Sequence, residues 1–98
     1  MTRSSTFAST PAAVTHGAAL TFETLGADDG APAPLRIRPD DDTLLRVISG
    51  VLRLTVGHRE RLLGAGEEAI VPAGRAHRLV GVGGEARCVM GFRPSPLL

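Results

Sequence analysis

The chain has no lysine, tyrosine or tryptophan, a single cysteine and only three phenylalanines. Because all 11 basic residues are arginine, chemistry through a lysine amine, such as Schiff-base formation, is excluded. The cations that remain are planar guanidinium groups, which suit carboxylates and phosphates. Cys88 has no partner for an internal disulfide, so we expect a reducing, cytoplasmic environment.

Long apolar runs and a sustained basic stripe are missing as well. No run approaches the ~18 apolar residues that a membrane-spanning helix needs, and residues 1–15 lack the apolar centre of a signal peptide. The 11 basic and 10 acidic residues are spread along the chain and give a net charge of +1. We therefore expect neither a membrane nor a nucleic acid as a partner.

Glycine and proline, by contrast, are frequent: 12 and 7 of the 98 residues divide the chain into short segments. Several segments alternate apolar and polar residues, as Leu52, Arg53 and Leu54 do, which is the period of a half-buried strand. The predicted strands span residues 20–25, 35–38, 43–48, 51–56, 59–63, 68–71, 76–80 and 86–92, with a tight hairpin turn at Ser49 and Gly50. Short strands without a helix predict an all-β fold, an antiparallel sandwich or a small barrel.

The length of 98 residues indicates a single domain. Residues 1–17, rich in Ser, Thr and Ala, are predicted to form a flexible N-terminal arm, residues 18–94 the domain, and residues 95–98 a short tail. The predicted core consists of apolar residues that share the inward faces of the strands: Leu45, Val47, Leu52, Leu54, Ile70, Leu79 and Met90.

One stretch carries a recognisable motif. Residues 66–77 have the spacing G-x5-P-x-G-x2-H, from Gly66 through Pro72 and Gly74 to His77. This spacing resembles the second motif of the cupin superfamily, although Gly81 stands where the family has an asparagine. Residues 43–57 are similar to the hairpin that ends the family's first motif. The resemblance covers residues 20 to 94 approximately and implies a cupin-type, RmlC-like jelly-roll β-barrel of short antiparallel strands, commonly a homodimer.

The first motif departs from the pattern of metal-binding cupins. In the alignment that the resemblance gives, Arg36 and Arg38 occupy the two histidine positions and Thr43 the glutamate position, so His77 is the only family ligand that remains. Asp42 offers a carboxylate after a slip of one residue, but two ligands are too few for a divalent ion. We therefore expect no metal cofactor, with His77 and Asp42 as weak candidates for ligands.

The same alignment predicts the pocket. If both arginines face inward, two guanidinium groups lie near His77 and suit a carboxylate or phosphate. The alternative is a strand that buries Leu35 and Ile37 and sends both arginines to solvent. The predicted ligand-binding residues are His77, Arg36, Arg38, Thr43, Cys88 and Met90, the last two from the inner face of the final strand.

Three functions remain open at this point. The first is a metal-free module that binds a small anionic molecule. The second is a cupin enzyme, an isomerase, epimerase, cyclase or metal-dependent dioxygenase, that uses His77 as its candidate catalytic residue. The third is a structural domain with a vestigial cavity. An open, polar pocket favours the first two functions, and an interior filled by side chains favours the third.

Overall fold

Seven antiparallel strands form two facing sheets in the computed structural model, which describes residues 20–95. The strands are β1 Leu20–Leu25, β2 Asp41–Ser49, β3 Leu52–Val56, β4 Arg59–Leu63, β5 Glu68–Val71, β6 His77–Gly81 and β7 Ala86–Pro94. One sheet has the order β1-β7-β2-β5 and the other the order β4-β3-β6. The prediction of an all-β jelly roll of short antiparallel strands is confirmed. Across residues 20–95, no helix has the length and apolar character needed to cross a membrane.

The predicted domain limits fall partly outside this range. The arm at residues 1–17 lies wholly outside the described residues, and so does the tail apart from Ser95. Both stay predictions.

The turn at Ser49 and Gly50 is present, but the prediction of a hairpin there is wrong. Strand β2 pairs with β5 and β7, and β3 pairs with β4 and β6, so the chain crosses from one sheet to the other at this turn. Gly50 has a φ of 79°, and a Cβ atom at this position would overlap the carbonyl oxygen of Glu85. The glycine therefore allows the turn at residues 49–50 to pass close to the backbone of Glu85. It does not form the turn of a two-stranded hairpin.

The strand predicted at residues 35–38 is reduced to a single bridge between Arg36 and His77. Each of the two backbone amides donates to the other residue's carbonyl oxygen over 2.8 Å. The pairing cannot extend in a regular ladder because Pro34 and Pro39 flank the segment and have no N–H group to donate. The segment is still held in place at one further point, where the Gly74 amide donates to the Arg38 carbonyl over 2.8 Å.

The core lies between the two sheets and contains six of the seven predicted residues: Leu45, Val47, Leu52, Leu54, Leu79 and Met90. Ile70 was predicted wrongly. Cross-strand pairing places Ala69 opposite Leu45 and Val71 opposite Thr43, so these neighbours point inward and Ile70 points outward. It packs instead against Leu44 on the outer face of the sheet.

The two ends of the interior differ. At one end, strand β7 contributes Ala86 and Cys88, which are fully buried in the core. Two and four residues beyond Cys88 on the same face, Met90 and Phe92 line an open cavity. The fold thus closes one end of the barrel with apolar packing and leaves a concave site at the other.

Candidate functional site

The open end of the barrel contains a cavity of about 420 Å³. Strands β1, β2 and β7 form one wall, and the start of β6 with the segment at residues 35–38 forms the other. The lining residues are Thr21, Glu23, Leu35, Arg36, Ile37, Arg38, Thr43, His77, Met90 and Phe92. The structure therefore brings together five of the six predicted ligand-binding residues and adds five that were not predicted to bind the ligand: Thr21, Glu23, Leu35, Ile37 and Phe92.

The alternation at residues 35–38 places both arginines at the cavity. Leu35 and Ile37 are 59% and 57% exposed, so the alternative that buries them is wrong. Arg36 and Arg38 line the cavity, which Leu35 and Ile37 also border while more than half exposed. Their orientation follows from the backbone, because the bridge to His77 and the Gly74 contact fix which way the segment faces.

Arg36 forms a two-pronged ion pair with Glu23 of β1. Its Nη1 atom donates to Oε1 over 2.9 Å, and its Nη2 atom contacts Oε2. Both side chains are about 30% exposed, at 29% and 31%. The hydrogen bond from Arg36 lowers the pKa of the Glu23 carboxyl group, which is therefore charged at neutral pH. The pair presents no net charge to the cavity.

Glu23 was missed because its strand has apolar residues on both faces, Leu20 and Phe22 on one and Leu25 on the other, so alternation does not decide which face is inner. Thr21, Glu23 and Leu25 share a face, and Leu25 is an apolar residue that is buried in the structure. Alternation from Leu25 therefore puts the Glu23 carboxylate on the inner side of the barrel.

Arg38 has a looser environment. Its Nη2 atom donates to Asp41 Oδ2 over 3.0 Å, and the guanidinium carbon lies 3.9 Å from the centroid of the Phe92 ring. A cation placed over an aromatic face is attracted by the electrons of the ring. The Arg38 side chain is 45% exposed, so this guanidinium group meets both the cavity and solvent.

His77 stands at the first residue of β6 and is almost fully buried. Its Nδ1 atom lies 3.4 Å from the Arg75 carbonyl oxygen. Burial lowers the pKa of the imidazole below its ordinary value; the contact with the Arg75 carbonyl oxygen opposes this effect in part, and the Arg36 guanidinium adds a smaller lowering. The ring is therefore neutral at pH 7 and offers one donor and one acceptor nitrogen.

The other predicted residues divide between the cavity and its surroundings. Thr43 and Met90 line the cavity from the inner faces of β2 and β7. Cys88 is buried in the core opposite Glu23 and is not among the residues that line this cavity. Burial raises the pKa of its thiol to about 11, so the sulfur is protonated and a weak nucleophile at neutral pH.

Asp42, the alternative metal ligand, lies away from the cavity. It precedes Thr43 on β2 and therefore points to the opposite face. Its Oδ1 atom accepts a hydrogen bond from the Ala73 amide over 2.9 Å, and its Oδ2 atom lies 3.4 Å from Arg93 Nε. His77 lines the cavity and Asp42 does not, so the two side chains do not share one site.

The side chains around the cavity do not fit a divalent metal ion. Among the residues from 20 to 95, no group of three or more His, Cys, Asp or Glu side chains is placed to hold one. The cavity offers one imidazole and one carboxylate, and Glu23 already binds Arg36 with both oxygens. Two guanidinium groups at the same site also repel a cation.

Comparisons with known proteins agree with this architecture. Residues 21–92 match the family model Cupin_2, described as a cupin domain. No match was found among curated proteins.

Solved structures of cupins share the fold. The chain is similar to a cupin protein from Bacteroides fragilis with a TM-score of 0.69 and 14% identity, over 81% of this chain and 67% of that one. It is also similar to a cupin-2 domain protein from Shewanella frigidimarina, with a TM-score of 0.64 and 19% identity over 76% and 68% of the two chains. A hydroxypropylphosphonic acid epoxidase from S. wedmorenis, solved with fosfomycin, gives a TM-score of 0.68 and 18% identity over 76% of this chain. The match spans only 42% of the epoxidase. At these identities the likeness shows the fold alone.

Proposed function

The chain belongs to the cupin domain family, and from that premise we propose that it is a metal-free binding protein for a small organic acid. The observation that carries the proposal is the cavity of about 420 Å³ at the open end of the barrel, with two guanidinium groups on its wall. Ligand sites in proteins commonly have volumes of roughly 300–1,000 Å³. The interior is open at this end and not filled by side chains, which argues against a purely structural domain.

The chemistry of the wall favours an acid. Guanidinium groups present paired N–H donors that match the two oxygens of a carboxylate. Thr43 and neutral His77 add hydrogen-bonding groups, and Met90 and Phe92 add an apolar surface. A few convergent polar groups on an otherwise apolar wall are typical of a site for a small molecule.

His77 supports a second candidate function, a metal-independent isomerase, epimerase or cyclase. The observation that favours it is a buried, neutral imidazole at the cavity wall, which can accept a proton from a bound molecule. Its ring contacts the Arg75 carbonyl oxygen, a neutral group, so an imidazolium would gain no charged partner from that contact. Binding is for this reason the function that we place first.

The proposal is tested by isothermal titration calorimetry with acids and their amides. We expect millimolar or tighter binding of a carboxylate, and weaker binding of the matching primary amide by about tenfold or more, because a charged hydrogen bond contributes roughly 1.5–3 kcal/mol. Arg59→Gln is the matched control, since it removes an exposed guanidinium from β4 in the other sheet. Chemical conversion of a bound acid by the wild type, and its loss in a His77→Gln variant that still binds the acid, would favour the second candidate.

Equal affinity for the acid and its amide would contradict the proposal. So would unchanged binding in a variant that lacks both cavity arginines, Arg36→Gln with Arg38→Gln, provided that the variant keeps the far-UV circular dichroism of the wild type.

A further inference from the structure

The two cavity arginines are not equivalent as sites for an acid. Arg36 already directs both Nη atoms at Glu23. An incoming anion at Arg36 would therefore meet the Glu23 carboxylate at close range, in a half-buried place where solvent screens the repulsion only partly. Arg36 with Glu23 forms a neutral part of the wall.

Arg38 is the guanidinium group with bonding capacity to spare. In the part of the chain that the structure describes, its hydrogen bonds use Nη2 alone, toward Asp41. That pair joins residues three apart in sequence and is substantially exposed, at 45% and 31%, and exposed ion pairs of this kind contribute little to stability. One face of the guanidinium rests on Phe92. The Nε–H group and the two N–H groups of Nη1 are thus left as donors to ligand oxygens.

The net charge of the wall sets the charge of the ligand. Among the described residues, the charged ones in the lining are Arg36, Arg38 and Glu23, with His77 neutral, so the lining carries two positive charges and one negative charge. The Asp41 carboxylate, which pairs with Arg38, lies outside the lining. A monoanion that replaces Asp41 as the partner of Arg38 balances the remaining charge of +1. A dianion would leave an uncompensated negative charge in a partly enclosed site that also faces the carboxylates of Glu23 and Asp41.

Apolar side chains lie beside this anchor. Phe92 lies under the Arg38 guanidinium, Met90 lines the same cavity, and Leu35 and Ile37 border it while more than half exposed. Contact with a ligand would remove part of this apolar surface from water.

From these contacts, in an inference that rests on the proposed function, we propose that the ligand is a monocarboxylate with a small apolar body, that Arg38 binds its carboxylate, and that Arg36 and Glu23 form a neutral ion pair that does not bind it. The proposal thereby excludes dicarboxylates and dianionic phosphates as preferred ligands.

The test uses four probes at fixed ionic strength: isovalerate, isovaleramide, methylsuccinate and inorganic phosphate. Calorimetry should show isovalerate binding at least about tenfold tighter than each of the other three. Arg38→Gln should weaken isovalerate by about tenfold or more. The double variant Glu23→Gln with Arg36→Gln keeps the wall charge at +1 and should bind isovalerate within about threefold of the wild type. Arg59→Gln should not differ from the wild type.

The outcomes separate this inference from the proposed function. Tighter binding of methylsuccinate or phosphate, or loss of isovalerate in the double variant but not in Arg38→Gln, overturns the inference while leaving an acid-binding protein. Absence of binding for every acid overturns both. Thermal unfolding of each variant shows whether it is folded, and Asp41→Asn gives an independent readout: removal of the competing carboxylate should tighten isovalerate if Arg38 is the anchor.

Discussion

Cys88 makes the alkaline stability of this protein a direct test of its core. The chain has no lysine or tyrosine, and arginine titrates above pH 12, so the Cys88 thiol is the one side chain that ionises between pH 9 and pH 11. The residue is fully buried, and burial, with a smaller contribution from the Glu23 carboxylate and an opposing one from the Arg36 guanidinium, raises the pKa of its thiol from 9.0 to about 11. Raising the pH from 8 to 11 should therefore lower the free energy of unfolding through this one thiol.

The sign and size follow from proton linkage. A thiol whose pKa is raised by folding contributes its stability in full below pH 9, and that contribution is lost as the pH rises toward 11, because the unfolded chain releases its proton first. At pH 10 the loss should be about 1.4 kcal/mol, and near pH 11 about 2 kcal/mol, after which it levels off.

Urea unfolding followed by far-UV circular dichroism, in the presence of a reductant, measures this loss between pH 8 and pH 11. Absorbance of the thiolate near 240 nm can be followed in parallel, and no tyrosine ionisation overlaps it. Cys88→Ala should show a nearly flat profile over the same range. A flat profile in the wild type, or an equal slope in Cys88→Ala, would refute the reasoning that the thiol is buried and protonated in the folded state.

Three further predictions concern packing, charge and assembly. Leu45→Ala should lower the free energy of unfolding by about 2–5 kcal/mol in urea titrations, because Leu45 is fully buried between the sheets, whereas Leu62→Ala, at a residue 61% exposed, should change it by less than about 0.5 kcal/mol. The pKa of Glu23 is lowered in the folded state, so its contribution to the free energy of unfolding is present above pH 4.5 and is lost as the pH falls through the folded pKa. Acid unfolding of Glu23→Gln should therefore show a smaller loss of stability than the wild type, and an identical curve contradicts the prediction. Light scattering at micromolar concentration should give a homodimer, since Phe22 and other large apolar side chains remain exposed on one chain, and a monodisperse monomer contradicts that expectation.

Most of the fold could be predicted because strand alternation is a local signal. The strand at residues 59–63 and the strand at residues 68–71 have the predicted bounds. The crossing at Gly50 could not be predicted, because a glycine turn between two alternating runs has the same local chemistry whether the strands pair with each other or join different sheets. Ile70 was placed on the wrong face because a strand of four residues is too short for its own alternation to show which face is buried. Its pairing with β2 determines the inner face.

The site depends on contacts that no sequence spacing reveals. Arg36 and Glu23 are 13 residues apart and meet only because β1 and the segment beside β6 face the same cavity. A single glutamate in an exposed strand is typical of a solvated face, so its role as the counter-charge of Arg36 needed the fold. The stacking of Arg38 on Phe92 likewise joins distant parts of the chain.

The central claim is that the cavity binds an acid without a metal ion, and one titration tests it most directly. The protein is dialysed exhaustively against a chelator, its metal content is verified by elemental analysis, and isovalerate is titrated into it by calorimetry beside an untreated sample. We expect the same dissociation constant in both samples, because guanidinium N–H groups donate hydrogen bonds to the carboxylate. Loss of binding after metal removal, restored by adding back a divalent ion, would contradict it.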